Sequence, residues 1–270
     1  MKVSDLPSST FYYEQKKTEY DKRNEEIITE IKSVYEENKG RYGVRRVYHE
    51  LLNRGFPINH KKVQRLMNKL SLKGIQPREK YHSYKGQTSR VANNLLRRNF
   101  YASRPNEKWS TDVTQFNLPF GKCYLSPILD MYNNEIVSYD LSLSPNFAQT
   151  TQMLCRAFVS RPDVKGLIFH SDQGWQYQMK QYTETLKDRE IIQSMSRKGN
   201  CYDNSIMETF FGRMKNEMFY GFEKLYQTFE DFSRAVEEYM DYYNNKRIQK
   251  KTMWMPPVAF REASLDVSVL

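Results

Sequence analysis

The first apolar positions with a regular period are Ile27, Ile28, Ile31, Val34 and Tyr35, and their spacing predicts a helix over 19–38. Val44, Val47, Tyr48, Leu51 and Leu52 repeat that spacing and stop at Gly55. Residues 55–59 (GFPIN) read as a turn, with Asn59 as the N-cap of a third helix. That helix turns Val63, Leu66, Met67 and Leu70 inward and is expected to end at Lys73-Gly74. Two short helices joined by a tight turn make a helix-turn-helix unit. Residues 76–99 are polar and aperiodic and read as a linker.

From Phe100 the pattern changes. Residues 109–116 read as a strand, 119–121 as a turn, and 122–131 and 135–143 as two more strands around an Asn133-Asn134 hairpin turn. A helix over 147–159, a short strand at 166–170, a helix near 178–189 and a strand at 191–194 follow, then helices over 204–219 and 228–243. Three antiparallel-type strands followed by alternating helix and strand predict a mixed α/β layer fold. The expected organisation is a helical arm (1–38), a helix-turn-helix domain (39–75), a basic linker (76–99), an α/β core (100–264) and a short tail (265–270).

Charge separates the same regions. Residues 1–98 hold 22 Lys and Arg against 11 Asp and Glu, whereas 99–270 hold 20 against 21. The surplus therefore lies in the first third, where a polyanion such as DNA would offset the repulsion; the plainer reading is a solvated basic surface. The third helix displays His60, Lys61, Lys62, Gln64, Arg65, Asn68 and Lys69, and the preceding one Arg45 and Arg46. These side-chain types reach base edges and phosphates from a major groove; the alternative is a small bundle with a basic face. Three scattered cysteines without a C-x-x-C pair suggest reduced thiols in a cytoplasmic protein and no zinc site. No apolar run is long enough to span a membrane, and the first residues lack a signal-peptide pattern.

Three acids carry the candidate chemistry. Asp112 sits in the first predicted strand, Asp172 follows the fourth, and Glu208 lies in the helix opening after Asp203-Asn204. With the first and fourth strands side by side, Asp112 and Asp172 can meet, and the later helix can lay Glu208 across them. Gathered carboxylates take up protons unless cations hold them ionised. Hard oxygen ligands without cysteine point to Mg²⁺, with Mn²⁺ as a substitute. Two such ions roughly 3.5–4 Å apart activate an attacking oxygen and stabilise a leaving one. Glu208, Phe211, Gly212 and Lys215 share a helix face, which sets Lys215 one turn further on, near a phosphate backbone. Each residue alone has an ordinary reading: Asp172 as a helix cap, Asp112 in an ion pair, Glu208 as an exposed acid. His170 is expected to hydrogen-bond behind the acids rather than ligate. Trp175 reads as core, with base stacking as the alternative, and Gly199-Asn200 as a possible hinge.

The segments TDVT around Asp112, HSDQG at 170–174 and KGNCYDNSIMETFFGRMKNE at 198–217 resemble the DDE integrase core. More narrowly, with RYGVRRVYHELLNRG upstream and 242–260 downstream, nearly the whole chain resembles the OrfB-type transposases of the bacterial insertion-sequence IS-three family. The resemblance implies an RNase H-like fold and strand transfer by metal-dependent attack of a DNA 3′ hydroxyl. It gives catalytic roles to Asp112, Asp172 and Glu208 and a DNA contact to Lys215. It also implies a bacterial, nucleoid-associated protein that assembles as a homo-oligomer on double-stranded DNA, with an upstream reading frame as a possible fusion partner. Two departures stand out. Lys246-Arg247-Ile248-Gln249 replaces the usual Arg-Pro-His, and no cysteine precedes Cys123, so the His/Cys zinc module of retroviral relatives is absent. The rival readings are a non-enzymatic helix-turn-helix regulator and a nuclease acting on RNA–DNA hybrids.

Overall fold

The computed structural model describes residues 7–75, 92–198 and 200–267, and the chain divides into two units, Met1–Ile75 and Gln76–Leu270. Most of the expected 76–99 linker lies outside the described residues.

Among its described residues the first unit holds three helices: α1 (Ser8–Glu37), α2 (Val44–Asn53) and α3 (His60–Lys69). α1 begins eleven residues before the start expected at 19. Its first turns are rich in Glu, Lys and Gln, which favour helix without leaving an apolar stripe to read. Ile31, Val34, Val47, Leu51, Val63, Leu66 and Met67 are buried, as their spacing requires. Asn59 caps α3 as expected, its side chain accepting from the Lys61 amide at 2.8 Å. The stop differs: α3 ends with Ser71 at φ 56°, ahead of Gly74. Gly74 is needed for another reason, since a Cβ there would stand 2.6 Å from the Gly43 nitrogen.

The second unit is built on one sheet. Its strands are β1 (Lys108–Thr111), β2 (Thr114–Leu118), β3 (Gly121–Asp130), β4 (Ile136–Ser142), β5 (Ile168–Ser171) and β6 (Ile192–Met195). β3 pairs antiparallel with β1, β2 and β4, while β1, β5 and β6 run parallel to one another. The single strand predicted over 109–116 is thus two. The register with β3 nevertheless runs through the gap, Thr111 facing Ile128 and Thr114 facing Leu125, which sets Asp112 opposite Pro127. Proline has no amide hydrogen to give a ladder, and the strand breaks where it would have been needed. The break falls on Asp112.

Period-two alternation then sorts the side chains of β1 and β5. Trp109 and Phe169 meet edge to face and join a buried cluster with Met153, Leu154 and Phe158 of α4 (Phe147–Ser160) and with Tyr177, Tyr182 and Leu186. Tyr177 lies in the short helix α5 (Trp175–Gln178), and Tyr182 and Leu186 in α6 (Lys180–Asp188). Ser110 and His170 belong to the other face, covered by α7 (Ser205–Met214) and α8 (Phe229–Asn245). The helix expected over 204–219 is three pieces: a 3₁₀ turn (Cys201–Asn204), α7, and one π turn (Lys215–Phe219). A last helix, α9 (Pro257–Val267), escaped the sequence reading, and Arg261 on it holds Glu135 beside the β3–β4 turn at 2.8 Å. Residues 92–99 are not free linker: Leu96 is buried against Ala102 and Met131.

Candidate active site

Asp112 occupies the gap between β1 and β2, and Asp172 directly follows β5. Parallel pairing sets Ser110 beside His170, so the two acids leave neighbouring strands at the same sheet end. Local turns fix both carboxyls. The Val113 amide donates to Asp112 Oδ1 at 2.8 Å, and the Gly174 amide to Asp172 Oδ1 at 2.9 Å. Asp172 is therefore punctuation as well as a candidate ligand.

Burial pushes the Asp112 carboxyl well above the usual carboxylate range, and the charges of Asp172 and, more weakly, Glu208 push it further. Burial also raises Asp172 and Glu208. Among the described residues none of the three acids has an ion-pair partner. Nor do any three His, Cys, Asp or Glu among them stand ready to hold a metal ion. The structure thus brings Asp112 and Asp172 together, with Glu208, half-buried on the first turn of α7, at the margin. Two paired carboxyls without an ion-pair partner among the described residues, both pushed upward mainly by burial, fit a divalent ion chemically: they offer oxygen donors only, and a positive charge would favour their ionised form.

His170 is fully buried and takes no outward position. Its Nδ1 lies 2.9 Å from Ser194 Oγ and its Nε2 3.0 Å from the Asp203 carbonyl, which makes Nε2 the protonated nitrogen and the Ser194 hydroxyl the donor to Nδ1. Burial lowers its pKa to about 4, so the ring is neutral.

Lys215 is a correction. The expected surface cation is buried, donating to the Gln115 carbonyl at 2.8 Å over the Phe116 ring. The π turn that starts at Lys215 ends the face on which it was placed with Glu208. Burial lowers it to about 8 and the Asp112 charge opposes this, so it lies near the acids rather than on an open groove. Trp175 is a second correction: it is 49% exposed and not core. Gly199 of the expected hinge lies outside the described residues.

In the first unit Arg45, Lys61, Gln64, Arg65, Asn68 and Lys69 are exposed, on the side of α2 and α3 away from the buried residues. Arg46, His60 and Lys62 are half-buried; Arg46 lies over the Tyr42 ring and His60 packs edge-on to Tyr48.

Residues 102–201 match an integrase core domain, 208–265 a second integrase core model, and 22–80 an HTH-like domain. Together with the sheet these define an integrase-type core preceded by a helical HTH-like region. InsK of insertion sequence element IS150 from Escherichia coli K12 is 45% identical, over 97% of this chain and 92% of its own. A transposase-like protein of Haemophilus influenzae is 54% identical over 77% of this chain and 95% of its own. Transposase InsF for insertion sequence IS3A of Escherichia coli K12 is 34% identical over 71% and 67%. The chain belongs to the integrase-core transposases of IS3-family insertion sequences.

Proposed function

We propose that this protein is a DNA transposase catalytic subunit that cuts DNA at the ends of a mobile element and joins the freed 3′ hydroxyl to a target phosphodiester. Asp112, Asp172 and Glu208 are the catalytic ligands for divalent cations, Mg²⁺ or Mn²⁺, two per site. The observation that carries this is the meeting of Asp112, buried, and Asp172, half-buried, at neighbouring strand ends, with no ion-pair partner among the described residues. Bound cations would supply Lewis-acid charge on phosphodiester oxygens and lower the pKa of an attacking hydroxyl or water. The two acids accept from backbone amides through one oxygen each, which leaves lone pairs on both for a ligand. Glu208 completes the set from α7. In the first step water adds to phosphorus and a 3′ hydroxyl leaves. In the second that hydroxyl attacks another phosphodiester and displaces its 3′ oxygen, so bond number is conserved and no protein nucleophile is required.

The domains act as 39–75 for DNA binding and 100–264 for chemistry, on double-stranded DNA, with homo-oligomers assembling on the element ends and an upstream frame as a possible fusion. Among the described residues no helix is long and apolar enough to cross a membrane; a soluble, nucleoid-associated place in a bacterial cytoplasm fits the reading.

The test is Mg²⁺-dependent cleavage of a supercoiled plasmid carrying the element ends, with and without the upstream frame. Glu208→Gln should lose on the order of 10²–10³-fold, as when transition-state charge stabilisation is removed, while keeping DNA binding. Equal activity in both proteins would sink the triad, and binding without cleavage by the wild type under any condition would favour the regulator.

A further inference from the structure

The residues just before α7 break a local rule. Asn204 stands at the N-cap position of α7, where asparagine ordinarily accepts from the helix amides, yet its side chain makes no capping bond. It turns instead into the protein. Its Oδ1 accepts from Ser110 Oγ on β1 at 3.0 Å, two residues before Asp112. Its Nδ2 is buried and has no hydrogen-bond partner, and the Ser110 hydroxyl that holds its Oδ1 stands two residues before the Asp112 carboxylate. A buried donor left unpaired beside a carboxylate is costly unless something uses it.

Asp203, next in the chain, is what holds Asn204 there. Its carboxylate, with no exposed side-chain surface, accepts from Arg197 Nε at 2.8 Å, Arg197 Nη2 at 2.9 Å and the Arg197 amide at 3.0 Å. It also takes Asn94 Nδ2 at 2.8 Å and Arg98 Nε at 3.2 Å, from the segment that precedes the core. Its carbonyl takes the His170 ring from β5. Two consecutive residues thus bind β1, β5, the 92–99 segment and the start of the 197–204 loop. Glu208 lies four residues after Asn204, on the same helix side, so whatever fixes Asn204 also fixes the direction in which Glu208 points.

We propose that Asn204 is a positioning residue of the catalytic site: anchored by Asp203 and oriented by Ser110, it offers its unpaired amide N–H to Asp112 and so aligns Asp112 with Glu208. The inference rests on the acid-triad reading above and adds to it the residues that assemble the triad. Holding one lone pair of Asp112 with a neutral donor leaves the others turned toward a cation, which is how outer partners orient a ligating carboxylate.

The test uses the full chain with Asn204→Ala, Asn204→Asp and Ser110→Ala, with Glu208→Gln as reference. Mg²⁺ binding is measured by calorimetry without DNA, alongside plasmid cleavage and thermal melting. Asn204→Ala should weaken Mg²⁺ binding and slow cleavage, each about ten- to a hundredfold. Asn204→Asp keeps the shape and the acceptor for Ser110 but has no amide N–H to give, and, where melting shows it folded, it should be as slow as the alanine variant. Ser110→Ala should cost much less. A purely structural role would lower the melting temperature and leave Mg²⁺ binding unmoved, and that result overturns the proposal, as does near-wild-type cleavage by Asn204→Asp. If Glu208→Gln is inactive while Asn204→Asp is active, only the positioning role fails; an active Glu208→Gln removes the triad reading itself.

Discussion

Asp203 illustrates how one side chain couples electrostatics to the arrangement of distant segments. The Arg197 guanidinium, with help from Arg98, holds its carboxyl well below the ordinary value near 3.8. The ionised form is therefore favoured in the folded chain. As pH falls, the unfolded chain takes up this proton first, so the contribution is complete above the ordinary value and is lost as pH drops below it. Asp203→Asn should accordingly melt at a lower temperature than wild type at pH 6, and the gap should narrow as the pH approaches 3. A constant gap across that range would show that the charge contributes nothing. The same residue was passed over in the sequence, where Asp203-Asn204 served only as the start of a helix. A buried acid and an asparagine that fails to cap look like any other polar pair until distant partners such as Ser110 and Asn94, 94 and 109 positions away, are in view.

At the scale of elements, the segment after Glu208 carries a comparable device. The π turn at 215–219 buries Glu217, which accepts from Arg247 Nη2 at 2.6 Å and from the Tyr239 hydroxyl at 3.0 Å. Arg247 is 1% exposed and follows α8, so the pair ties the end of α8 to the end of α7. Removing one member of a buried pair leaves the other charge uncompensated, a loss of about 3–5 kcal/mol. Arg247→Met should lower unfolding free energy in urea by that order, and Glu217→Gln combined with Arg247→Met should recover much of it. If the double variant is no more stable than the single one, the pair is not what holds these helices. The elements themselves were largely legible, because apolar positions with a period of 3.6 or 2 report which face is buried. Two features were not. The strand break at Asp112 depends on Pro127 standing opposite, a matter of register, and the bound of α7 depends on the π turn, which leaves no distinct periodicity.

For the molecule as a whole, charge divides the labour. The surplus of basic residues lies in 1–98, and the exposed face of α3 concentrates Lys61, Arg65 and Lys69. If this face supplies phosphate contacts, each one lost should reduce the slope of log affinity against log salt by about 0.9. Lys61→Gln with Arg65→Gln, titrated on duplex DNA by fluorescence anisotropy, should therefore flatten the slope by about 2, while Glu208→Gln should leave it unchanged. A slope indifferent to the pair would move the DNA-binding face elsewhere. Lys215, by contrast, should hardly enter this slope, since its ammonium is turned onto a backbone carbonyl.

By itself the sequence determined the two-part organisation, the HTH-like helices and the mixed sheet, and it marked three candidate acids, because each is written in local periodicity, composition or motif spacing. Only the tertiary structure decided which side chains face the acids. It brought Asn204 to Ser110, buried Lys215, exposed Trp175 and docked Leu96 onto the core. The physical reason is that burial and hydrogen-bond partnership belong to pairs of residues far apart in the chain. A pattern read along one dimension contains the faces of each element but not which faces meet.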